Sequence, residues 1–275
     1  MKNFFLFFKQ TMTVPEPFGG FHIVAMLMTI LFSVLNCKIC RKADENTYRI
    51  TLLSIWAIMF VMELIKQITI SATFTESGDL VFRYDWGSFP LHLCDSPLYL
   101  LPAIALLKDG KVRSALSAFM ATYVLLGGVS TYILISTTFT ANIYLNVQTL
   151  AHHGLQIVAA LSIATYNRSR INDRAFLRAI IVFFIAVVIA TVYNVVMHLL
   201  IPDQVINMFF ISPFFKKEMP ILNEAWHALH WAPTILLYIC GVTFIAFIIH
   251  LIYKKVFTVD ILRGRSVTEM QNALE

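Results

Sequence analysis

Cys94 is the residue of this chain with the most chemistry in reach. It stands in Pro90-Leu91-His92-Leu93-Cys94-Asp95, a thiol among a histidine and a carboxylate. A thiol becomes a nucleophile when a base removes its proton, and histidine is the side chain whose ordinary pKa suits that exchange near neutrality. The chain has eight histidines, two of them adjacent as His152-His153, and it carries Glu63 and Lys66 three residues apart.

These groups sit in a chain that is 58% hydrophobic and 13% charged, with a mean hydropathy of +0.73. Such a composition excludes an ordinary soluble domain and predicts an all-α, polytopic transmembrane helix bundle. Apolar runs of about 20 residues, enough to cross a bilayer core as a helix, fall seven times, at about 19–37, 50–72, 89–107, 113–135, 147–166, 178–200 and 229–252. The whole chain, 1–275, reads as one integral membrane domain, with 253–275 a short cytoplasmic tail. Met1 to Gln10 hold a Phe/Leu run too short for a signal-peptide core, so an interfacial helix is expected there. Cys37, Cys40, Cys94 and Cys240 lie at different predicted depths, which argues against a disulfide framework. Cys37-Lys38-Ile39-Cys40 reads as two thiols at a helix end.

Lys and Arg set the orientation. The loops after spans one, three and five and the C-terminal tail carry four, three, four and four, whereas the alternate side carries two, one, none and two. The positive-inside rule then puts the N-terminus outside and the C-terminus in the cytoplasm. The net charge of +5 is therefore a topology signal, and no nucleic acid is expected as a partner. Membrane lipids are, in a multi-pass protein of the cell membrane.

With the spans oriented, depth follows from the helical rise of about 1.5 Å per residue. Glu63 and Lys66 lie roughly 20 and 24 Å up a core roughly 30 Å thick. His92 and Cys94 open span three, His152 and His153 open span five, and Tyr132, Asn194 and His230 reach the same outer level. Only His250 falls at the inner end. Ionisable groups at membrane depth are costly and commonly functional. Bland readings exist for several: His22, His198 and His227 suit the headgroup level, His230 suits an aromatic belt with Trp226 and Trp231, and Glu63/Lys66 suit a self-neutralising pair. His152 and His153 are harder to place harmlessly. Gln148 and Gln156, each four residues from His152, are expected to pair with it.

The segment Ser88–Pro97 allows two geometries. Either a helix starts at Ser88 and is kinked at Pro97, or His92 to Asp95 form a non-helical entry to a helix starting near Pro97. In the first, His92 and Cys94 face apart and the base must come from another helix, with His152 or His153 at matching depth. Asp95 is suited to orient a histidine in either case.

At these residues the sequence resembles the YwaF family of bacterial integral membrane proteins. The likeness is carried by Glu63-Leu64-Ile65-Lys66, Pro90-Leu91-His92-Leu93-Cys94-Asp95 and Gln148 through His153, and extends over most of the seven-span core. That family is similar to an animal multi-span acyltransferase that remodels phospholipids with a membrane-embedded cysteine and histidine, and more distantly to intramembrane hydrolases of fatty-acid esters that use threonine and histidine. The resemblance implies that Cys94 is an acyl-accepting nucleophile, that His152 or His153 is its base, and that the substrate is an acyl lipid. Glu63, Lys66, His92, Asp95, Tyr132, Asn194 and His230 would be the supporting polar set, with no cofactor or metal expected. The competing expectation is a transporter or small-molecule-binding protein with an outward-facing polar pocket and no covalent chemistry. A zinc hydrolase built on three histidines is a variant of the enzyme reading.

Overall fold

The computed structural model describes residues 2–134, 138–168, 170–215 and 220–272. Lys216 and Lys217, counted above, lie outside them. A short α1 (Lys2–Phe8) precedes α2 (Gly20–Lys42) and α3 (Glu45–Ser71), and an antiparallel hairpin follows, β1 (Ala72–Phe74) with β2 (Leu80–Phe82). Next comes the short α4 (Pro97–Leu106). α5 (Lys111–Phe119), a π-helical turn at Met120–Val124 and α6 (Leu125–Ile133) make one continuous rod. α7 (Ile143–Tyr166), α8 (Asp173–Leu200), α9 (Pro220–Leu229) and α10 (Trp231–Asn272) complete the order. The protein is an all-α polytopic membrane bundle.

Five helices among the described residues are long and apolar enough to cross a membrane: α2, α3, the α5–α6 rod, α8 and α10 through Phe257. The other two expected spans are helical but different in kind. α4 has only ten residues, and α7, 24 residues long, carries Asn146, Gln148, His152, His153 and Gln156 along its length. The chain beyond 252, expected as a tail, continues the last helix to Asn272.

Local chemistry explains where the helices start. Asp44, Asn142 and Asn172 cap α3, α7 and α8, each side chain accepting a backbone N–H three residues on, at 2.8, 2.8 and 3.0 Å, which satisfies one of the orphan donors of a first turn. The outward faces stay apolar, as Leu177, Ile181, Phe184 and Val188 on α8 illustrate, because lipid is the solvent there. Inside, the α5–α6 rod is the hub: Phe119, Met120, Tyr123 and Val124 are all buried. α7 packs closely on both α2 and α6. A Cβ at Gly154 would sit 2.6 Å from Thr29 Oγ1 on α2, and one at Gly128 of α6 would sit 2.9 Å from Ile157 Cγ1 on α7. Small residues at such crossings let membrane helices approach, and here they lock the helix that carries His152 and His153.

The segment after α8 does not stay outside. Ile206, Met208, Phe209, Ile211 and Ser212 are buried, so non-helical backbone enters the bundle and its polar groups must find partners. Asn194 supplies two, donating Nδ2 to the Met208 carbonyl (3.0 Å) and accepting the Met208 N–H at Oδ1 (2.7 Å). Phe209 and Phe210 adopt φ of 56° and 57°, a left-handed conformation that costs a non-glycine residue of order 1–3 kcal/mol. At the opposite end, buried Arg113 donates Nε to the Ile104 carbonyl (2.8 Å) and pairs with Asp109 and Glu45.

Candidate functional site

The chain enters span three without a helix. Residues 89–92 are irregular, Leu93–Asp95 form one 3₁₀ turn, and α4 starts at Pro97, whose missing N–H suits a first helical position. The non-helical entry is therefore the geometry adopted. Asp95, 4% exposed, closes the turn by accepting the His92 N–H at Oδ2 (2.8 Å). Cys94 remains partly accessible.

His152 reaches across from α7 to this turn. Its Nε2–H donates to the carbonyl of Cys94 itself (3.1 Å), and the same nitrogen lies 4.0 Å from Asp95 Oδ1. The other ring nitrogen, Nδ1, is buried and meets no partner among the described residues. His153 is held differently: its Nδ1–H donates to the Thr149 carbonyl on its own helix (2.7 Å). The two rings are edge to face, 5.7 Å apart. His152 thus belongs to the Cys94–Asp95 turn, while His153 is anchored one turn back along α7.

Neither glutamine does what its spacing suggests. Gln148 Nε2 donates to Glu63 Oε2 (3.2 Å), and Gln156 Nε2 donates to the Val124 carbonyl. Both amides leave α7 for a neighbouring helix, so His152 draws its partner from the turn instead. Val124, whose carbonyl Gln156 meets, ends the π-helical turn, and π-turns recur at functional sites.

Glu63 is the hub of a second cluster. Its carboxylate, 3% exposed, accepts from Lys66 (3.0 Å to Oε1), from Gln67 (2.6 Å) and from Gln148. Gln67 also donates to the Ser88 carbonyl and accepts from the Tyr84 hydroxyl (2.8 Å). Burial, with the nearby negative charges of Glu63 and Asp85, pushes the Tyr84 hydroxyl's pKa up, which keeps it a donor. The cluster ties α3 to α7 and to the strand of chain leading into Cys94. Glu63→Leu is expected to lower stability in detergent by about 3–5 kcal/mol, since it leaves the largely buried Lys66 ammonium without its carboxylate. Removing both charges, Glu63→Leu with Lys66→Leu, should cost less than the single change. Thermal unfolding of the two variants checks this, and a double variant no better than the single would contradict it.

Other members of the expected polar set go elsewhere. His92 faces the re-entrant segment: its Nδ1 accepts the Phe209 N–H (3.2 Å) and its ring lies against Phe210. Asn194 holds Met208. Tyr132 donates to the Leu150 carbonyl and meets Thr29 (both 2.8 Å) at the α2–α6–α7 seam. His230, with φ 64°, is exposed between α9 and α10. His22, expected at headgroup level, is wholly buried, its ring packed against Tyr132 and Phe139. His250 is buried at the far end, bonded to Asp173 (2.9 Å). Sequence reasoning missed Gln67 and Tyr84, whose only signal was a polar residue beside the Glu63/Lys66 pair and a tyrosine in a loop. Among the described residues no three His, Cys, Asp or Glu side chains converge as a metal site.

The model of the TMEM164 family matches residues 17–254. No curated protein and no solved structure matches the chain.

Proposed function

The chain belongs to the TMEM164 family of multi-span membrane proteins, and from that premise we propose that it is an intramembrane thiol enzyme that moves acyl groups between lipids. The observation that carries the reading is His152 bonded to the turn that bears Cys94, with Asp95 beside it. The likeness of the same segments to the YwaF family, and through it to a cysteine-dependent phospholipid acyltransferase, supports it.

In this reading His152 takes the proton of the Cys94 thiol. The thiolate attacks the ester carbonyl of a phospholipid; a C–S bond forms, the ester C–O bond breaks, and His152 returns the proton to the departing alkoxide. A lysolipid hydroxyl or water then gives its proton to His152 and attacks the thioester carbonyl. The C–S bond breaks and the proton returns to sulfur. Asp95 orients the imidazole and stabilises its charged form. In this reading the Cys94 N–H is the backbone donor that meets the developing oxyanion. In this reading the whole chain acts as one membrane domain, and the Lys/Arg distribution supports a site toward the outer leaflet of the cell membrane.

The pocket reading is less well supported, because Glu63, Gln148, His152 and Gln156 are all buried, and Glu63 and Gln148 are bonded to each other. The purified protein in vesicles containing an acyl-labelled phospholipid and an unlabelled lysolipid separates the two. Label is expected to appear in newly formed phospholipid or as free fatty acid, with the same rate in the presence of a metal chelator. Label that stays in place would sink the enzyme reading, and loss of transfer on chelation would sink the thiol mechanism.

A further inference from the structure

α4 packs against α3, and α8 packs against α5. Because α4 is short and the chain before it is not helical, a gap of about 360 Å³ opens between α4 and α8, within the range of roughly 300–1,000 Å³ typical of ligand sites. Val182, Ile185, Ala186 and Ile189 of α8 form one wall and Tyr99 and Leu100 of α4 the other, over Phe119 of α5. The opening is lateral: Tyr99, Ile185 and Ile189 are 49%, 52% and 50% exposed on a lipid-facing flank. His92 and Ser96, the residues that bracket Leu93-Cys94-Asp95, line the gap, while Cys94 itself does not. Phe209 lines the gap too, held by the bond from its N–H to His92 Nδ1 and in a left-handed conformation.

We infer that this groove receives one fatty acyl chain of a membrane lipid, entering sideways from the bilayer with its ester end toward Cys94. An apolar gap open to hydrocarbon is filled by lipid chains without leaving water or a void. Its lining includes His92 and Ser96, which flank the Cys94 turn in the chain, so a chain lying in it brings its carbonyl beside that turn. The strained Phe209 wall, pinned to His92, fixes how far the chain can advance. This rests on the acyl-transfer reading and supplies its binding half.

The test uses the Cys94→Ala protein, which binds without turnover, in vesicles of phosphatidylcholine containing a phospholipid with a diazirine on one acyl chain. After illumination, adducts are mapped to peptides. Labelling is expected to concentrate on 96–100 and 182–189, and Ala186→Trp should reduce it about tenfold. Ile189→Trp, at a half-exposed position, should act in the same direction and guards against a folding defect at Ala186. Labelling spread evenly over the outward faces of α2 and α8, and unchanged by both tryptophans, would show ordinary bilayer contact and overturn the groove. The outcomes separate from those of the chemistry. Groove labelling without a wild-type acyl adduct removes the thiol reading alone, and an adduct on Cys94 without groove labelling removes the groove alone.

Discussion

Cys94→Ala is expected to abolish acyl movement, with a fall in turnover of more than about 10⁴-fold, the scale on which loss of a covalent nucleophile acts. The fold should survive. Cys94 is only partly buried, its carbonyl rather than its sulfur holds His152, and alanine keeps that carbonyl in place. The loss should therefore appear in turnover with unfolding temperature nearly unchanged. Cys94→Ser is expected to retain little, because a hydroxyl at the same place needs a stronger base than one histidine offers. Equal turnover in wild type and Cys94→Ala would remove the nucleophile from the account.

His152→Ala should reduce turnover by about 10²–10⁴-fold, the usual contribution of a positioned acid–base group. His153→Ala should reduce it much less, since its ring is spent on the Thr149 carbonyl of its own helix. The asymmetry is the informative part. Adjacent residues on a helix point about 100° apart, a consequence of 3.6 residues per turn, so only one of the two can lie over the Cys94 turn. The geometry assigns that place to His152. His152→Gln, which can still donate to the Cys94 carbonyl, should restore stability but not turnover, and so distinguishes proton transfer from simple support of the turn. If His153→Ala proved the more damaging, the assignment of the base would be reversed.

The bundle was legible in the sequence because its determinants are local. Runs of apolar residues set the helices, and Asp44, Asn142 and Asn172 mark their starts. The entry to Cys94 was legible only as a choice between two starts, since Ser88 and Pro97 both signal a helix N-terminus; packing of Asp95 on the His92 N–H settles it. Partners chosen across helices were not legible. Gln148 and Gln156 have the spacing to serve His152, yet each finds a better acceptor on a neighbouring helix, and nothing in helical periodicity reports that reach. The hairpin was missed because strands of three residues are too short for alternation to register. The re-entrant segment was missed for a related reason: residues 202–212 read as a connection, and their buried backbone is met by side chains distant in sequence, Asn194 at Met208, His92 at Phe209 and Trp231 at Ile211.

The central claim, that Cys94 carries the acyl group, is tested most directly by intact-mass and peptide analysis of the protein quenched in acid while turning over phospholipid. The account predicts a single acyl mass on the peptide containing Cys94, removed by hydroxylamine as a thioester is, and absent from Cys94→Ala. An active protein with no adduct on that peptide, or an adduct that persists in Cys94→Ala, would contradict it.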